Sequence, residues 1–488
     1  MTSTDPLLAA DMIIGVCGAG TMGTGIAQVA AQAGHHVVVF DTNSEMLTRA
    51  RATLDATAKK LFSRGKLNAV EAEALAARVR WTNAIEDLAS AGLVIEAIVE
   101  KPEVKTDLFS QLEVTLATDA VIATNTSSLS VTELAASLTH PERFLGLHFF
   151  NPAPIMKLVE VVPALATGSR YLNAATALMT SWGKVAVVAK DVPGFIVNRA
   201  ARPFYGEGWR AYEEGAADAA TIDYLYRELG RFRMGPLELG DLIGHDINGT
   251  AARSVFDAYF GRTRFTPSLA QQALVAGGRL GRKSGLGVYE YGESAPKPVP
   301  QFDYTAGAET TEGSAHTGIG DLFEPNNAKD FITFEGVLVG YSSGFSARAE
   351  KAHRGQPVVI FECTTDGTCT TIACAVSCDQ ARQAALSLAQ ATARNLVIVK
   401  DRPGLIVFRT WLQLLNAAAD ILRDQVAAAD SVDQALMYGV NYPMGPFGWA
   451  KQYGFTRAVA ALDNIATETG NETYRPNEVL RDLARGEG

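Results

Sequence analysis

Along the first 190 residues, short apolar runs alternate with longer amphipathic stretches. Asp11–Cys17, His36–Phe40, Leu93–Ala97, Ala120–Thr124, Arg143–His148, Leu158–Val162 and Ala186–Ala189 are too short and too continuously apolar for surface helices. They read as strands buried on both faces. Between them the run GIAQVAAQAG ends at Gly34, a long helical region spans Ser44–Arg80, and Ser130-Val131-Thr132-Glu133 is a capping box. The alternation predicts an α/β domain over 1–190, a doubly wound parallel sheet. Residues 191–291 turn helical and close with GRKSGLGVYEYG. Residues 292–330 are rich in Pro, Gly, Ser and Thr and read as a linker. Residues 331–390 carry strand runs such as VVIFEC and a helix, DQARQAALSLAQ, with no glycine-rich loop. They are expected to form a reduced α/β segment without a cofactor.

The last segment, 391–488, repeats the helical domain. Lys400-Asp401-Arg402-Pro403-Gly404-Leu405-Ile406-Val407 copies Lys190-Asp191-Val192-Pro193-Gly194-Phe195-Ile196-Val197, and Met444-Gly445-Pro446 copies Met234-Gly235-Pro236, both at an offset of 210 residues. Two separated motifs at one offset mark a duplication. The position of Asn198 becomes Phe408, so the second copy loses a polar group and reads as structural.

The first strand runs into Gly18-Ala19-Gly20-Thr21-Met22-Gly23, a helix follows, and Asp41 ends the next strand. Gly18 permits the tight turn, Gly20 lets the backbone approach a pyrophosphate, and Gly23 lets helix and strand pack closely. This order makes the domain Rossmann-type. Asp41 suits the ribose hydroxyls and repels a 2′-phosphate, which favours NAD over NADP. Further on, LGLHFFNPAPIMKLVEVV places His148 and Asn151 before an apolar strand that contains Glu160. A carboxylate in such a strand is costly unless a proton-sharing partner meets it. Histidine, with a free pKa of about 6.5, is such a partner and can accept an alcohol proton near neutral pH.

Composition narrows the field. With 488 residues and 47% hydrophobic content, the chain has core enough for several domains. A net charge of −10 argues against a general nucleic-acid binder. The N-terminus lacks a signal-like pattern and no apolar run has membrane-spanning length, so a cytoplasmic protein without membrane contact is expected. Cys363, Cys369, Cys374 and Cys378 match no metal spacing, and together with Cys17 they are expected as reduced thiols.

Five motifs in order, GAGTMGTGIAQVAAQAGHHVVVFD, NTSSL, LHFFNPAPIMKLVEVV, KDVPGFIVNR and GRKSGLGVYEY, resemble the 3-hydroxyacyl-CoA dehydrogenase family. The length and the duplicated helical domain resemble the family's long bacterial form, the type that acts on 3-hydroxyadipyl-CoA in phenylacetate degradation. The resemblance implies NAD as cofactor, His148 as general base and Glu160 as the carboxylate that orients it. It implies Ser127 and Asn198 at the reacting oxygen, Asn151 lining the site, and Glu100 and Lys105 near the nicotinamide half. Thr53, where the family has serine, and Lys60 are implied to contact CoA. It also implies that helical domains which pair between subunits in shorter relatives pair within this chain as a pseudo-dimer, leaving further homo-oligomerisation open. Alternatives are a 3-hydroxybutyryl-CoA or general β-oxidation dehydrogenase. A short-acid dehydrogenase would look to a lysine for catalysis, and the His148–Glu160 pair argues against it. The alternative of another class is a non-catalytic NAD-binding sensor or assembly protein.

Overall fold

A computed structural model describes residues 7–9, 11–307, 331–362 and 368–486. The chain divides into two compact units: Met1–Val197 with Gln425–Val440, and Asn198–Asp424 with Asn441–Gly488.

The first unit is built on eight strands: β1 (Ile13–Cys17), β2 (Val37–Phe40), β3 (Val79–Thr82), β4 (Ala91–Glu96), β5 (Val121–Thr124), β6 (Phe144–Phe149), β7 (Leu158–Pro163) and β8 (Val185–Val188). Their order is β3-β2-β1-β4-β5-β6-β7-β8. All neighbours are parallel except β6 and β7, whose antiparallel register sets His148 directly opposite Glu160. The first helix, α1 (Thr21–Gln32), leaves β1 at the point where the strand order reverses, the usual ligand crevice of such sheets.

The helical region expected as one piece over 44–80 is a hairpin followed by a strand. Helix α2 (Ser44–Ser63) stops before Gly65, whose φ is +66°. Helix α3 (Ala69–Ala77) starts at a capping box formed by Asn68 and Glu71. Strand β3 then adds the sheet edge, and only its Val79 is buried, so no apolar run announced it.

The second unit contains a mixed sheet of β9 (Ile332–Phe334), β10 (Val337–Tyr341), β11 (Val358–Phe361), β12 (Thr371–Val376) and β13 (Asn395–Ile398), ordered β13-β12-β11-β10-β9. The segment expected as a reduced sheet is a remnant of the first. Strands β10 to β13 pair parallel, antiparallel, parallel, as β5 to β8 do. Val187 pairs with Glu160, and its counterpart Val397 pairs with Ala373. Across the antiparallel pair, Glu362 bonds to Ala373 through its backbone N–H (2.9 Å), in the place that His148 holds against Glu160. Both members of the polar pair are thus replaced.

Most of the expected 292–330 linker (308–330) lies outside the described residues. Its earlier part is irregular but docked. Leu396 donates its N–H to the Tyr304 carbonyl at 2.8 Å and Ile398 donates to the Asp303 carboxylate at 2.6 Å, which covers the β13 edge.

The two helical copies share a core inside the second unit. Helix Val407–Arg423 is buried over nearly its whole length and lies against helix Arg202–Glu213. Trp411 stacks between Phe232 (5.1 Å) and Trp449 (5.8 Å), and Arg409 meets Glu207 at 2.9 Å. Equivalent helices are exchanged. Ala219–Glu228, of the first copy, sits on the second sheet, where Tyr224 bonds Thr371 at 2.6 Å. Ala429–Gly439, of the second copy, packs on β7 and β8 in the first unit, where Lys190 donates its N–H to the Val426 carbonyl at 3.0 Å. Among the described residues, no helix is long and apolar enough to cross a membrane. Cys17, Cys369 and Cys374 are buried free thiols and Cys378 is a half-buried one; Cys363 lies outside the described residues.

A chain ending at residue 292 loses both helices of the second copy that cover the first. It is expected to aggregate or form a new dimer in light scattering; a soluble monomer as stable as the full chain would contradict the exchange.

Glu362 supplies a pH test. Burial pushes its carboxyl up to about 7, although the N–H groups of Ile406, Val407 and Phe408 donate to it. The folded chain therefore holds this proton more tightly than the unfolded one, and stability attributable to it falls as pH rises from about 4.5 to about 7. Thermal midpoints of Glu362→Gln are expected to fall less steeply than wild type across that window. Equal slopes would show that the carboxyl does not titrate there.

Candidate active site

The turn after β1 has little room. Gly18 has φ +104°, and a Cβ there would lie 2.5 Å from the Ala97 carbonyl oxygen. A Cβ on Gly23 would lie 1.9 Å from the Gly18 oxygen. At Gly20 a Cβ would meet nothing within 4 Å. The open side of the loop is therefore at Gly20, followed by Thr21 and Met22 at the start of α1. That helix has no side-chain cap and no acidic residue in its first turn, so its positive end is left for an anion. Asp41 accepts the Ala19 N–H (2.8 Å) and the Asn43 N–H (2.8 Å), which fixes the carboxylate beside the loop. These residues fit the pyrophosphate and ribose of a dinucleotide.

At the far end of the antiparallel pair, His148 Nδ1 lies 2.6 Å from Glu160 Oε2. Both are buried, His148 to 6% and Glu160 to 0% exposure. Glu160 Oε1 accepts the N–H groups of Ile196 and Val197, each at 3.0 Å. Gly194 (φ +76°) and Phe195 (φ +44°) are both left-handed, which turns those N–H groups toward the carboxylate. Phe150 and Phe195 pack on the imidazole with centroids at 4.5 and 5.8 Å. With Nδ1–H given to Glu160, the lone pair of His148 is on Nε2.

The NTSS loop is held by Glu100. Its Oε1 accepts from Thr126 Oγ1 (2.6 Å), the Ser127 N–H (3.0 Å) and Ser128 Oγ (3.1 Å), which leaves Ser127 exposed on the loop. Burial raises the Glu100 carboxyl, but Lys105 and the loop donors outweigh it and hold it below the usual carboxylate range. Lys105 is 1% exposed and sits between Glu96 (2.5 Å) and Glu100 (3.1 Å). Glu96 is a residue the sequence reading passed over, although a carboxylate closing the strand LVIE was the available signal. Lys184 is another: its ammonium bonds the carbonyls of Ala153 (2.5 Å) and Met156 (2.8 Å) and ties down the loop after His148. Burial lowers it to about 8. Asn151 is exposed in that loop. Asn198 is half-buried and opens the second unit, one residue after Val197.

Thr53 and Lys60 both line a cleft of about 760 Å³ between α1 and α2, next to Gly20. Arg49, Arg64 and Lys66 line it too, so this cleft is strongly cationic although the chain is acidic overall. Thr53 Oγ1 donates to the Arg49 carbonyl at 2.8 Å.

A doubly wound sheet, a glycine loop with an uncapped helix and a ribose-side carboxylate, plus a buried imidazole–carboxylate pair, define a nicotinamide-dependent dehydrogenase. Residues 13–192 match the 3-hydroxyacyl-CoA dehydrogenase NAD-binding domain and residues 194–291 and 404–487 match the C-terminal domain of that enzyme. The chain belongs to the 3-hydroxyacyl-CoA dehydrogenase family, and it is an NAD-dependent oxidoreductase. It is 42% identical over 475 residues to the 3-hydroxyadipyl-CoA dehydrogenase of Escherichia coli K12, covering 96% of this chain and 97% of that one. It is 39% identical over 282 residues to the mitochondrial hydroxyacyl-coenzyme A dehydrogenase of Sus scrofa, covering 57% of this chain and 90% of that one. The crystal structure of 3-hydroxybutyryl-CoA dehydrogenase from Escherichia coli K12 matches with a TM-score of 0.88 at 40% identity, covering 98% and 99% of the two chains.

The glycine geometry separates two effects. Gly20→Ala is expected to keep the wild-type melting temperature and weaken NADH binding, because its methyl meets only the space a pyrophosphate needs. Gly23→Ala is expected to lower the melting temperature as well, since the added carbon meets backbone. Equal melting losses in both would contradict this reading of the loop.

Proposed function

We propose that this chain oxidises (S)-3-hydroxyacyl-CoA to 3-oxoacyl-CoA with His148 as general base, and that its acyl group is the dicarboxylic 3-hydroxyadipyl group. The observation that carries the chemistry is the 2.6 Å contact between His148 Nδ1 and Glu160, which commits Nε2 to accepting a proton. The substrate hydroxyl gives its proton to His148 Nε2. Glu160, which also accepts the N–H groups of Ile196 and Val197, stabilises the imidazolium that results. Ser127 and Asn198 donate hydrogen bonds to the 3-oxygen as it becomes a carbonyl. NAD, when bound, supplies the hydride acceptor. Gly18, Gly20, Gly23 and Asp41 hold it, with Thr21 and Met22 beginning the helix whose end faces the pyrophosphate. Glu100 and Lys105 serve the nicotinamide half by fixing the loop that bears Ser127. Thr53 and Lys60, with the cations around them, hold the CoA phosphates in the cleft beside α2. Asn151 lines the acyl site.

Support for the adipyl group comes from the relative that shares nearly the full length and carries that name. The matched crystal structure carries the butyryl name, which makes the acyl group the point to measure. The cytoplasmic location expected from the sequence is part of this proposal.

His148→Gln is expected to lower kcat at least ~100-fold while NADH affinity stays near wild type, because a general base acts mainly in the transition state. Oxidation of NADH with acetoacetyl-CoA, followed by absorbance, measures it. A variant retaining more than half the wild-type kcat would remove His148 from the mechanism. A wild-type chain that binds NADH without turning over any acyl-CoA would favour the sensor reading.

A further inference from the structure

The second unit contains an enclosed guanidinium, that of Arg202, with no carboxylate paired to it among the described residues. Nε and Nη1 of Arg202 are enclosed and have no hydrogen-bond partner. The guanidinium lies over the Tyr205 ring at 5.1 Å. The ionisable groups acting on it are the phenols of Tyr205 and Tyr442, and burial holds its pKa below the usual arginine value. The Tyr442 hydroxyl is also enclosed and without a hydrogen-bond partner. Other arginines buried in this unit are compensated: Arg199 faces Asp424, Arg402 faces Glu214 (2.8 Å) and Arg409 faces Glu207 (2.9 Å). A guanidinium and a phenol buried together as unpaired donors are costly to the protein alone. Donors of this kind are what a carboxylate requires of a receptor. Arg202 is half-buried rather than sealed, and it borders a cavity of about 230 Å³.

Its place in the chain gives the anion a source. Arg202 follows Asn198 by four residues through helix Val197–Ala200 and Ala201, which is also helical in conformation. Asn198 and Arg202 are thus four residues apart through helical and turn backbone, the spacing that brings two residues to one side of a helix. In a six-carbon diacid the terminal carboxylate is three carbon–carbon bonds beyond the carbon that bears the 3-hydroxyl. A substrate whose 3-oxygen meets Asn198 can direct its far end to Arg202.

We propose that Arg202, with Tyr442, binds the terminal carboxylate of a dicarboxylyl-CoA substrate and sets the acyl selectivity of the enzyme. This rests on the dehydrogenase reading above. It makes Arg202 a specificity residue, since its charge is remote from the carbon that is oxidised.

The test compares 3-hydroxyadipyl-CoA with 3-hydroxyhexanoyl-CoA, which has the same length and no carboxylate. Wild type is expected to favour the adipyl thioester at least ~10-fold in kcat/KM, because the neutral chain leaves two buried donors unpaired. Arg202→Met is expected to lose about 100-fold on the adipyl substrate, mainly through KM, with hexanoyl turnover changed less than ~3-fold. Its melting temperature is expected to hold or rise, because an uncompensated charge is removed. Arg202→Lys is expected to keep part of the preference, and Tyr442→Phe to lose a smaller part. Equal losses on both substrates, or a wild type without adipyl preference, would overturn the assignment of Arg202 and leave the dehydrogenase reading standing. A wild type that oxidises neither substrate would overturn both.

Discussion

The site depends on one buried carboxylate and the groups that satisfy it. Glu160 lies in the middle of a strand with no exposure, where an unpaired anion costs several kcal/mol. Its two oxygens are served from two directions: the imidazole of His148 across the antiparallel pair, and the N–H groups of Ile196 and Val197 at the exit of the sheet. One side chain thereby fixes the histidine tautomer and the place where the chain leaves the sheet. Asn198 is the next residue, so its starting point is fixed by the same bond. The left-handed pair Gly194–Phe195 is the conformational cost of bringing those N–H groups to bear.

The second copy shows which part of this is structural. Gly404 and Leu405 repeat the left-handed pair, with φ of +72° and +53°. The N–H groups of Ile406 and Val407 again bond a buried carboxylate. That carboxylate is Glu362, which stands where His148 stands in the first sheet, while Ala373 takes the place of Glu160. The turn still needs an acceptor, so an acceptor survives on a different strand; the imidazole has no structural duty and is gone. Asp191 and Asp401 keep a shared role too. Each accepts backbone N–H groups at the start of a short helix, Val131 and Thr132 in one copy and Ala347 and Arg348 in the other. Phe408, where the first copy has Asn198, is fully buried beside Tyr453.

Legibility in the sequence followed the strength of local constraint. The glycine loop, Asp41 and the His148–Glu160 pairing were readable because turn sterics and the cost of burying charge leave few alternatives. Strand β3 was not, since an edge strand with one buried residue has no apolar signature. The kinship of 331–390 with the first sheet was hidden for a related reason. Its strands kept their pairing pattern, which depends on backbone, while their chemical residues changed. Arg202 has no signal in the sequence beyond its charge, because its lack of an ion-pair partner depends on which carboxylates the folded core brings near. Glu96 and Lys184 hold loops through contacts distant in sequence, and no spacing rule reports those.

The exchange of equivalent helices gives the degenerate copy a part in the active half. Ala429–Gly439 belongs to the second copy by sequence and to the first unit by contact. At its end, Gly439 lies so close to β7 that a Cβ would fall 2.6 Å from the Leu158 side chain and 3.2 Å from that of Val197, with Phe150 at 3.6 Å. Phe150 packs on the His148 ring, and Val197 supplies one of the N–H groups on Glu160. The helix therefore bears on both partners of the acid–base pair without contributing a polar group to either. A subunit interface can supply such cover only while the oligomer is assembled, whereas a second copy in the same chain supplies it at fixed stoichiometry. That packing gives the duplicated helices a structural part in the active half although the second copy lacks the His148–Glu160 pair and Asn198.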